Sequence, residues 1–151
     1  MYRLRGAVCI NAHIRNYELS KKACFPAVAI HELKSRPYIT RLRWHDSGDI
    51  YSQGYLNRLI KIFEATADLG VFHYFYTKSL HLNYKRLKLL KNVKMIQSEG
   101  GKYRIDKRSA HAVVIGSGDP VPVGYVNGSG SDMAAIKHNK IYLYLKGGKK
   151  C

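Results

Sequence analysis

A histidine and two carboxylates occur together in segment 45–49, directly after a run rich in aromatic residues. Asp46 and Asp49, three residues apart on a predicted turn, could ligate a metal or hold the hydroxyl or amine groups of a small ligand. His45 could act as a general base, because an imidazole titrates near neutral pH. Two simpler roles compete with these: Asp49 could cap the next helix, and His45 could only be hydrogen-bonded.

Lys78 follows a second aromatic run and precedes a predicted helix, where its ammonium could neutralise a phosphate or a substrate carboxylate. A solvated lysine is the alternative. Small polar residues and glycine recur after the predicted strands, and glycine suits places where the backbone approaches a ligand closely. We therefore predict a polar pocket with His45, Asp46, Asp49 and Lys78 as candidate catalytic residues. The remaining predicted pocket residues are Ser47, Gly48, Ser79, Glu99, Ser117 and Asp119.

Such a pocket needs a scaffold that gathers the strand ends. Short runs of β-branched and aromatic residues predict strands at 38–44, 71–76, 93–96, 112–115, 121–126 and 141–145. Strands alternate with predicted helices through the middle of the chain, which favours βαβ units and a mainly parallel sheet. In open sheets of this kind ligands bind at the carboxyl ends of the strands. Segments 45–49, 77–79, 98–101 and 116–119 should therefore lie along one edge.

The N-terminal third of the chain is predicted to be helical. Ile10, Ile14 and Tyr17 recur at helical spacing, and a break follows at Lys21. Pro26 then suits the first turn of a second helix. The chain of 151 residues therefore predicts one α/β domain with a helical N-terminal segment and a partial-barrel-like sheet.

Three further helices are predicted. The clearest begins after Ser52, a suitable N-cap, and ends near Gly70. Segment 80–90 can form a basic helix whose inner face has the spacing of an amphipathic helix. A short helix begins near Ser131.

The net charge of +16, from 26 Lys and Arg against 10 Asp and Glu, indicates an anionic partner. A small domain kept soluble by charge alone needs a magnitude of only about 2 to 8. Nucleic acid is the favoured partner, because segment 78–94 contains several cations, no acidic residue and nearby tyrosines. Core tyrosines on a solvated basic face are the alternative interpretation. The predicted nucleic-acid-binding residues are Arg41, Arg43, Lys85, Arg86, Lys88, Lys91 and Lys94.

The cysteines Cys9, Cys24 and Cys151 show neither a CxxC pair nor zinc-finger spacing. Apolar neighbours favour buried free thiols at Cys9 and Cys24, so we expect a reducing compartment, the cytoplasm. The longest apolar runs fall far short of the ~18 residues of a membrane span, and no membrane partner is expected. Phosphate-loop and nucleophile-elbow motifs do not occur, and no cofactor is predicted for this chain.

The motif of segment 43–56 and the Tyr-Thr-Lys-Ser motif of segment 76–79 resemble phage proteins known as the "gene eighty-eight" family. The resemblance covers most of the chain, and it implies a viral protein in the host cytoplasm. Longer family members have flanking cysteine clusters, which imply an iron–sulfur or other metal site in those proteins only. The arrangement is also similar to part of a radical-SAM barrel, but radical chemistry needs three cluster-binding cysteines whose spacing this chain lacks.

Three hypotheses follow. In the first, the protein binds nucleic acid through the cations near Lys85, and the strand-end pocket positions or acts on the strand. In the second, it is an enzyme for a small adenosyl- or phosphate-containing ligand, whose polar head binds Asp46 and Asp49 and whose anion binds Lys78. In the third, it blocks a host nucleic-acid machine by occupying an acidic protein surface.

Overall fold

A parallel sheet organises the molecule, as the computed structural model shows for residues 7–45, 48–116 and 118–145, with side chains described from residue 10 onwards. The helices are α1 Ala7–Lys21, α2 Phe25–Lys34, α3 Gln53–Ala65 and α4 Asp132–Lys137. The strands are β1 Arg41–Trp44, β2 Phe72–Thr77, β3 Val93–Ser98, β4 His111–Ile115, β5 Val126–Asn127 and β6 Lys140–Tyr144.

The six strands form one sheet in the order β1-β2-β3-β4-β6-β5, and every neighbouring pair is parallel. The sheet curls into a half-barrel. Helix α3 connects β1 to β2, and α4 connects β5 to β6, so both are βαβ crossovers. The predicted α/β class, parallel sheet and helical N-terminal segment are therefore confirmed.

One face of the sheet packs against α2 and α3. Leu56, Leu59 and Phe63 of α3 are fully buried against Phe75 of β2, with Phe25 of α2 at the margin. Ser52 caps α3, since its Oγ accepts the amide N–H of Tyr55 at 3.1 Å. The predicted cap and apolar face of α3 are both confirmed, and they fix the helix above β1 and β2.

The opposite face holds the six-residue helix α4. Ala135 packs with Tyr74, Ile96 and Ile141 in a second buried cluster. Because Tyr74 and Phe75 are adjacent and buried in different clusters, β2 is buried on both faces, as its continuous apolar run predicts.

The basic helix predicted at 80–90 is wrong. That segment is turns and a single 3₁₀ turn, Leu87–Leu89. Polar contacts replace the hydrogen bonds of a helix. The backbone N–H of Asn83 donates to Gln53 Oε1 at 2.8 Å, and the side-chain Oδ1 of Asn83 accepts the backbone N–H of Lys85 at 3.0 Å. A helix would also place Lys85, Lys88 and Lys91 one turn apart, where like charges repel.

The strand predicted at 121–126 is largely wrong as well. Only Val126–Asn127 pairs with the sheet, at its edge. Pro120 and Pro122 lack the N–H groups that a ladder needs, and the Tyr125 N–H turns back to the Pro122 carbonyl at 3.2 Å. The other strands and helices lie within a few residues of their predicted positions.

Helix α1 forms as predicted but does not bury the face that its spacing indicates. Ile10, Ile14 and Tyr17 are all exposed, at 43%, 56% and 49%. The helix instead contacts the core near its C-terminal end, where Leu19 packs against the α2–α3 cluster and Ser20 is buried. None of the described helices is both long and apolar enough to cross a membrane.

A buried histidine links β1, α3 and β2. The Trp44 indole N–H donates to His73 Nδ1 at 3.1 Å, so the ring carries its proton on Nε2 and donates it to Thr66 Oγ1 at 2.8 Å. Thr66 Oγ1 in turn donates to the Ile62 carbonyl at 2.7 Å. His73 is fully buried, and burial lowers its pKa to about 4.

Acid should therefore destabilise the protein through His73. In the unfolded chain the imidazole is protonated below about pH 6.5, whereas in the fold it stays neutral down to about pH 4. The unfolded state thus binds more protons in this window, and the free energy of unfolding should fall by about 3 kcal/mol between pH 6.5 and 4. Urea unfolding at several pH values measures this slope.

His73→Gln is the matched variant, because an amide can still accept from Trp44 and donate to Thr66 but does not titrate. We expect a shallower slope for this variant between pH 6.5 and 4. His45→Gln is the comparison variant. Burial also lowers the pKa of His45, so this variant shows how much of the slope belongs to the second histidine. Equal slopes in the native protein and His73→Gln would refute the assignment to His73.

Candidate functional site

A cleft of about 690 Å³ opens at the carboxyl end of β1, and we call it the β1 cleft. Helix α1 forms one wall and segment 48–55 forms another, with Trp44 and Phe25 beneath them. Proteins with open parallel sheets bind ligands at this end of the strands, so the position of the cleft is that of a ligand site.

A strained turn at His45 ends β1 at the cleft. His45 has φ +58°, the left-handed conformation that costs a residue with a Cβ about 1–2 kcal/mol. The turn lays the imidazole edge-on to Phe75, at a ring-centroid distance of 6.2 Å, and brings its Nε2 within 2.9 Å of the Tyr55 hydroxyl. Backbone strain of this kind persists only where surrounding contacts impose it, and it is frequent at functional sites.

The imidazole of His45 is partly buried and incompletely hydrogen-bonded. Its Nδ1 is buried and has no hydrogen-bond partner among the residues that the structure describes. Burial lowers the pKa of His45, although the charge of Asp49 opposes the shift. Burial also raises the pKa of Tyr55, so a neutral imidazole faces a protonated phenol. This pair can exchange a proton with a bound ligand.

Asp49 joins the ends of β1 and β2. Its carboxylate accepts three hydrogen bonds of 2.6 Å, from the Ile50 N–H, the Thr77 hydroxyl and the Lys78 N–H. The helix cap expected as an alternative is therefore not its role, because Ser52 caps α3. Three of the roughly four acceptor positions of the carboxylate are therefore engaged within the fold, and Asp49 shapes the wall of the cleft that segment 48–55 forms.

Aromatic rings make up most of the cleft wall. Tyr51 stacks on Tyr55 with centroids 4.6 Å apart and planes at 9°, and the Tyr17 ring lies edge-on to Tyr51 at 5.3 Å. Ser20 Oγ donates to the Tyr17 carbonyl at 2.6 Å, so the contact of 2.9 Å between Ser20 Oγ and the Tyr51 hydroxyl is donated by Tyr51. Tyr51 is thus held in orientation yet remains 43% exposed.

The other predicted pocket residues lie along the same edge at different distances from the cleft. His45, Gly48 and Asp49 line it. Lys78 is exposed and is tied to Asp49 through its backbone N–H. The backbone N–H of Ser79 donates to Thr77 Oγ1, two residues earlier, at 3.0 Å.

Glu99 and Asp119 follow β3 and β4 and do not line the β1 cleft. The Glu99 N–H donates to the Ala112 carbonyl at 2.9 Å, and the Asp119 carboxylate accepts the Gly116 N–H at 2.7 Å. Asp46, Ser47 and Ser117 lie outside the described residues.

Four of the predicted nucleic-acid-binding cations, namely Arg41, Arg43, Arg86 and Lys94, bond to other residues within the fold. Arg43 pairs with Asp132 at 3.1 Å and lies over the Tyr76 ring, which ties the start of α4 to β1. Lys94 Nζ donates to the carbonyls of Ile136 and His138, at 3.0 and 2.9 Å, and so caps the other end of α4.

Arg86 makes a two-pronged ion pair with Glu64 at 2.8 and 2.7 Å. Arg41 is exposed, and its Nη1 donates to the sulfur of Met133 at 3.0 Å. Lys85, Lys88 and Lys91 are exposed to solvent. The cations of segment 80–90 therefore do not lie on the face of a helix, as the sequence predicted.

The thiol of Cys24 is free, as predicted, but the predicted burial is wrong because Cys24 is exposed. The Cys9 side chain and Cys151 lie outside the described residues. Within the part of the chain that the structure describes, no group of three or more His, Cys, Asp and Glu is placed to hold a metal ion.

Sequence reasoning missed the aromatic wall, chiefly Tyr17 and Tyr51. In the sequence Tyr17 shares a helical spacing with Ile10 and Ile14, and Tyr51 lies between a polar turn and a helix cap, so neither position marks a pocket. The available signal was the i,i+4 spacing of Tyr51 and Tyr55, which places two rings side by side across the start of a helix.

The family model described as Gene product 88 matches residues 6–151. The chain belongs to the Gene product 88 family. This confirms the resemblance indicated by the motifs around residues 43–56 and 76–79. Among curated proteins and among solved structures, none matches the chain significantly. Membership in the Gene product 88 family therefore supplies lineage, and the chemistry has to be argued from the β1 cleft.

Removing the Asp49 carboxylate should loosen both the fold and the cleft. Asp49→Ala leaves three donors without their partner, and we expect a loss of about 2–4 kcal/mol in the free energy of unfolding. Asp49→Asn keeps the shape and some acceptor capacity, so it should lose about half as much. Urea denaturation measures both.

Asp68→Asn is the matched control, because it removes an exposed carboxylate that does not touch the cleft. It should change the free energy of unfolding by less than about 0.5 kcal/mol. An equal loss for Asp49→Asn and Asp68→Asn would show that the three hydrogen bonds contribute nothing beyond general charge.

Proposed function

We propose that the protein binds a small ligand with a planar heteroaromatic group, an adenosyl compound or related nucleotide, in the β1 cleft. The observation that supports this most is the aromatic wall on a cleft of about 690 Å³, a volume typical of small-molecule sites. Stacking a nucleobase on an aromatic side chain is worth about 1–3 kcal/mol, and it tolerates any base.

Polar groups around the wall suit the edge and the anion of such a ligand. Asn16 is exposed at the cleft and offers both a donor and an acceptor to the edge of a base. Lys78 does not itself line the cleft: its backbone N–H is bonded to the cleft residue Asp49, and its exposed side chain carries Nζ to within 3.7 Å of where a Cβ on Gly100 would lie, so a phosphate that extends from the cleft towards the end of β3 would meet the ammonium. His45 and Tyr55 are the pair that would move a proton if binding leads to reaction.

The contacts of Asp49 limit which residues could bind the substrate if the protein is an enzyme. Because the Asp49 carboxylate is occupied by three donors, a ligand's polar head would bind through Asn16 and the imidazole instead. The base occupies the aromatic wall, and the anion lies towards Lys78. Catalysis in this cleft is then acid–base chemistry at His45, whose neutral imidazole can accept a proton.

Titration with adenosine monophosphate tests the cleft directly. The chain has one tryptophan, and Trp44 lines the cleft, so its fluorescence should change on binding. Tyr51→Ala should weaken binding about tenfold, because it removes one stacking surface. Tyr38→Ala, which removes a ring that is 77% exposed outside the cleft, should leave the affinity unchanged.

Ribose 5-phosphate is the ligand control, since it has the sugar and phosphate but no ring to stack. A Trp44 response to ribose 5-phosphate as strong as that to the nucleotide would overturn the proposal. So would equal affinities in Tyr51→Ala and Tyr38→Ala.

Lys78→Ala tests the anion end separately. The native protein should bind adenosine monophosphate more tightly than adenosine, and in Lys78→Ala the ratio of the two affinities should fall about tenfold or more, because a charged hydrogen bond contributes about 1.5 kcal/mol or more. Lys91→Ala is the matched control, because this exposed lysine precedes β3 and so lies at the opposite, amino edge of the sheet. An unchanged ratio in Lys78→Ala would remove this lysine from the site.

A further inference from the structure

We propose that the carboxyl edge of the sheet, beside the β1 cleft, binds single-stranded nucleic acid with the stacked pair His81–Tyr103 as a base platform. This inference rests on the proposed function, which it extends from one nucleotide to a strand. It places the contact on loops 78–82 and 99–104 and assigns roles to His81, Lys102, Tyr103 and Arg104, which are not among the residues predicted from the sequence.

The first observation is an aromatic pair on the surface. The rings of His81 and Tyr103 stack with centroids 5.0 Å apart and planes at 30°, and both residues are exposed. Tyr103 is 40% exposed, and neither residue belongs to a buried cluster. Stacked rings that add little to the core present a flat face on which an unpaired base can stack.

The second observation is that Lys78 and Gly101 connect the loops that carry this pair to the cleft residue Asp49. The cleft residue Asp49 accepts the Lys78 N–H at 2.6 Å. Gly101 packs so closely on Lys78 that a Cβ there would lie 2.9 Å from the lysine Cβ. Tyr103 is two residues beyond Gly101 and His81 is three beyond Lys78, and each residue spans at most ~3.6 Å.

The third observation is charge at the same place. Lys102 Nζ lies 5.9 Å from the Tyr103 ring centroid, and Arg104 follows on the same exposed loop. Within the described residues, neither Lys102 nor Arg104 makes an ion pair. By contrast, Arg43, Arg86 and Lys94 of the originally predicted set are bonded within the fold.

Aromatic faces interleaved with cations are the chemistry of single-strand binding. The cations neutralise phosphates, and the rings accept bases that are not paired. A duplex hides its base faces within the stack, so it can use only the cations. The edge should therefore prefer a single strand over a duplex of the same sequence.

Fluorescence anisotropy with a labelled single strand of about 12 nucleotides, as DNA and as RNA, tests this preference against the matching duplex. His81→Ala with Tyr103→Ala should weaken single-strand binding about tenfold or more, because two stacking rings are lost. The same double variant should leave the adenosine monophosphate response of Trp44 unchanged. Tyr51→Ala should weaken both.

Two charge reversals place the surface. Lys102→Glu with Arg104→Glu, and Lys85→Glu with Lys88→Glu, each change the charge by four, from +16 to +12. The first pair should weaken binding about tenfold and reduce the log–log salt slope by about 1.4, since each phosphate contact on a single strand contributes ~0.7. The second pair should have a clearly smaller effect.

Each outcome decides between the proposals. Equal losses in the two charge-reversal pairs, or an unchanged affinity in the His81 and Tyr103 variant, would overturn the edge surface. Nucleotide binding in the cleft without strand binding would do the same while leaving the proposed function intact. Strand binding that depends on Tyr103, without nucleotide binding, would support the edge and overturn the function proposed for the cleft.

Discussion

The Asp49 carboxylate is the contact on which the candidate site depends. It follows β1 yet accepts the Thr77 hydroxyl and the Lys78 N–H from the end of β2, so it holds two neighbouring strand ends together. Charge-assisted hydrogen bonds are the strongest kind that a polar turn can make, and three of them meet here. These bonds hold segment 48–55 in place, and the β1 cleft lies between this segment and α1. The left-handed conformation of His45 is held by the contacts of its ring with the Tyr55 hydroxyl and with Phe75.

The fold could be predicted from the sequence where local pattern and tertiary environment agree. The aromatic run of β2 has no polar face, and the structure buries Tyr74 and Phe75 on opposite sides. Ser52 caps α3 because its side chain needs only the first turn of its own helix. Such local signals depend on few partners, and so they were interpretable without knowing the rest of the fold.

The structure predicted from the sequence is wrong where contacts with distant residues determine the local conformation. Segment 80–90 has helical spacing, and Tyr84 and Leu87 are indeed buried, but Asn83 bonds to Gln53 thirty residues away. The Tyr84 hydroxyl donates to the Ser79 carbonyl at 3.0 Å, which also closes a compact turn rather than a helix. The aromatic wall was missed for the same reason. Its rings come from α1, from a loop and from α3, and only the folded chain brings them together.

The distribution of cations matters more than their number. Arg43 and Lys94 hold the two ends of α4 against the sheet, and Arg86 fixes the 80–90 segment to Glu64 of α3. Part of the excess positive charge thus stabilises the fold, where each cation has a defined acceptor. Other described cations, among them Lys102 and Arg104, are exposed to solvent, where self-repulsion opposes compaction unless an anion offsets it. Lys102 and Arg104 lie next to the exposed rings of His81 and Tyr103, at the carboxyl edge where the parallel strands lead into their loops. An anionic ligand with bases to stack satisfies both the charge and the rings, and neither bare phosphate nor an apolar partner does so.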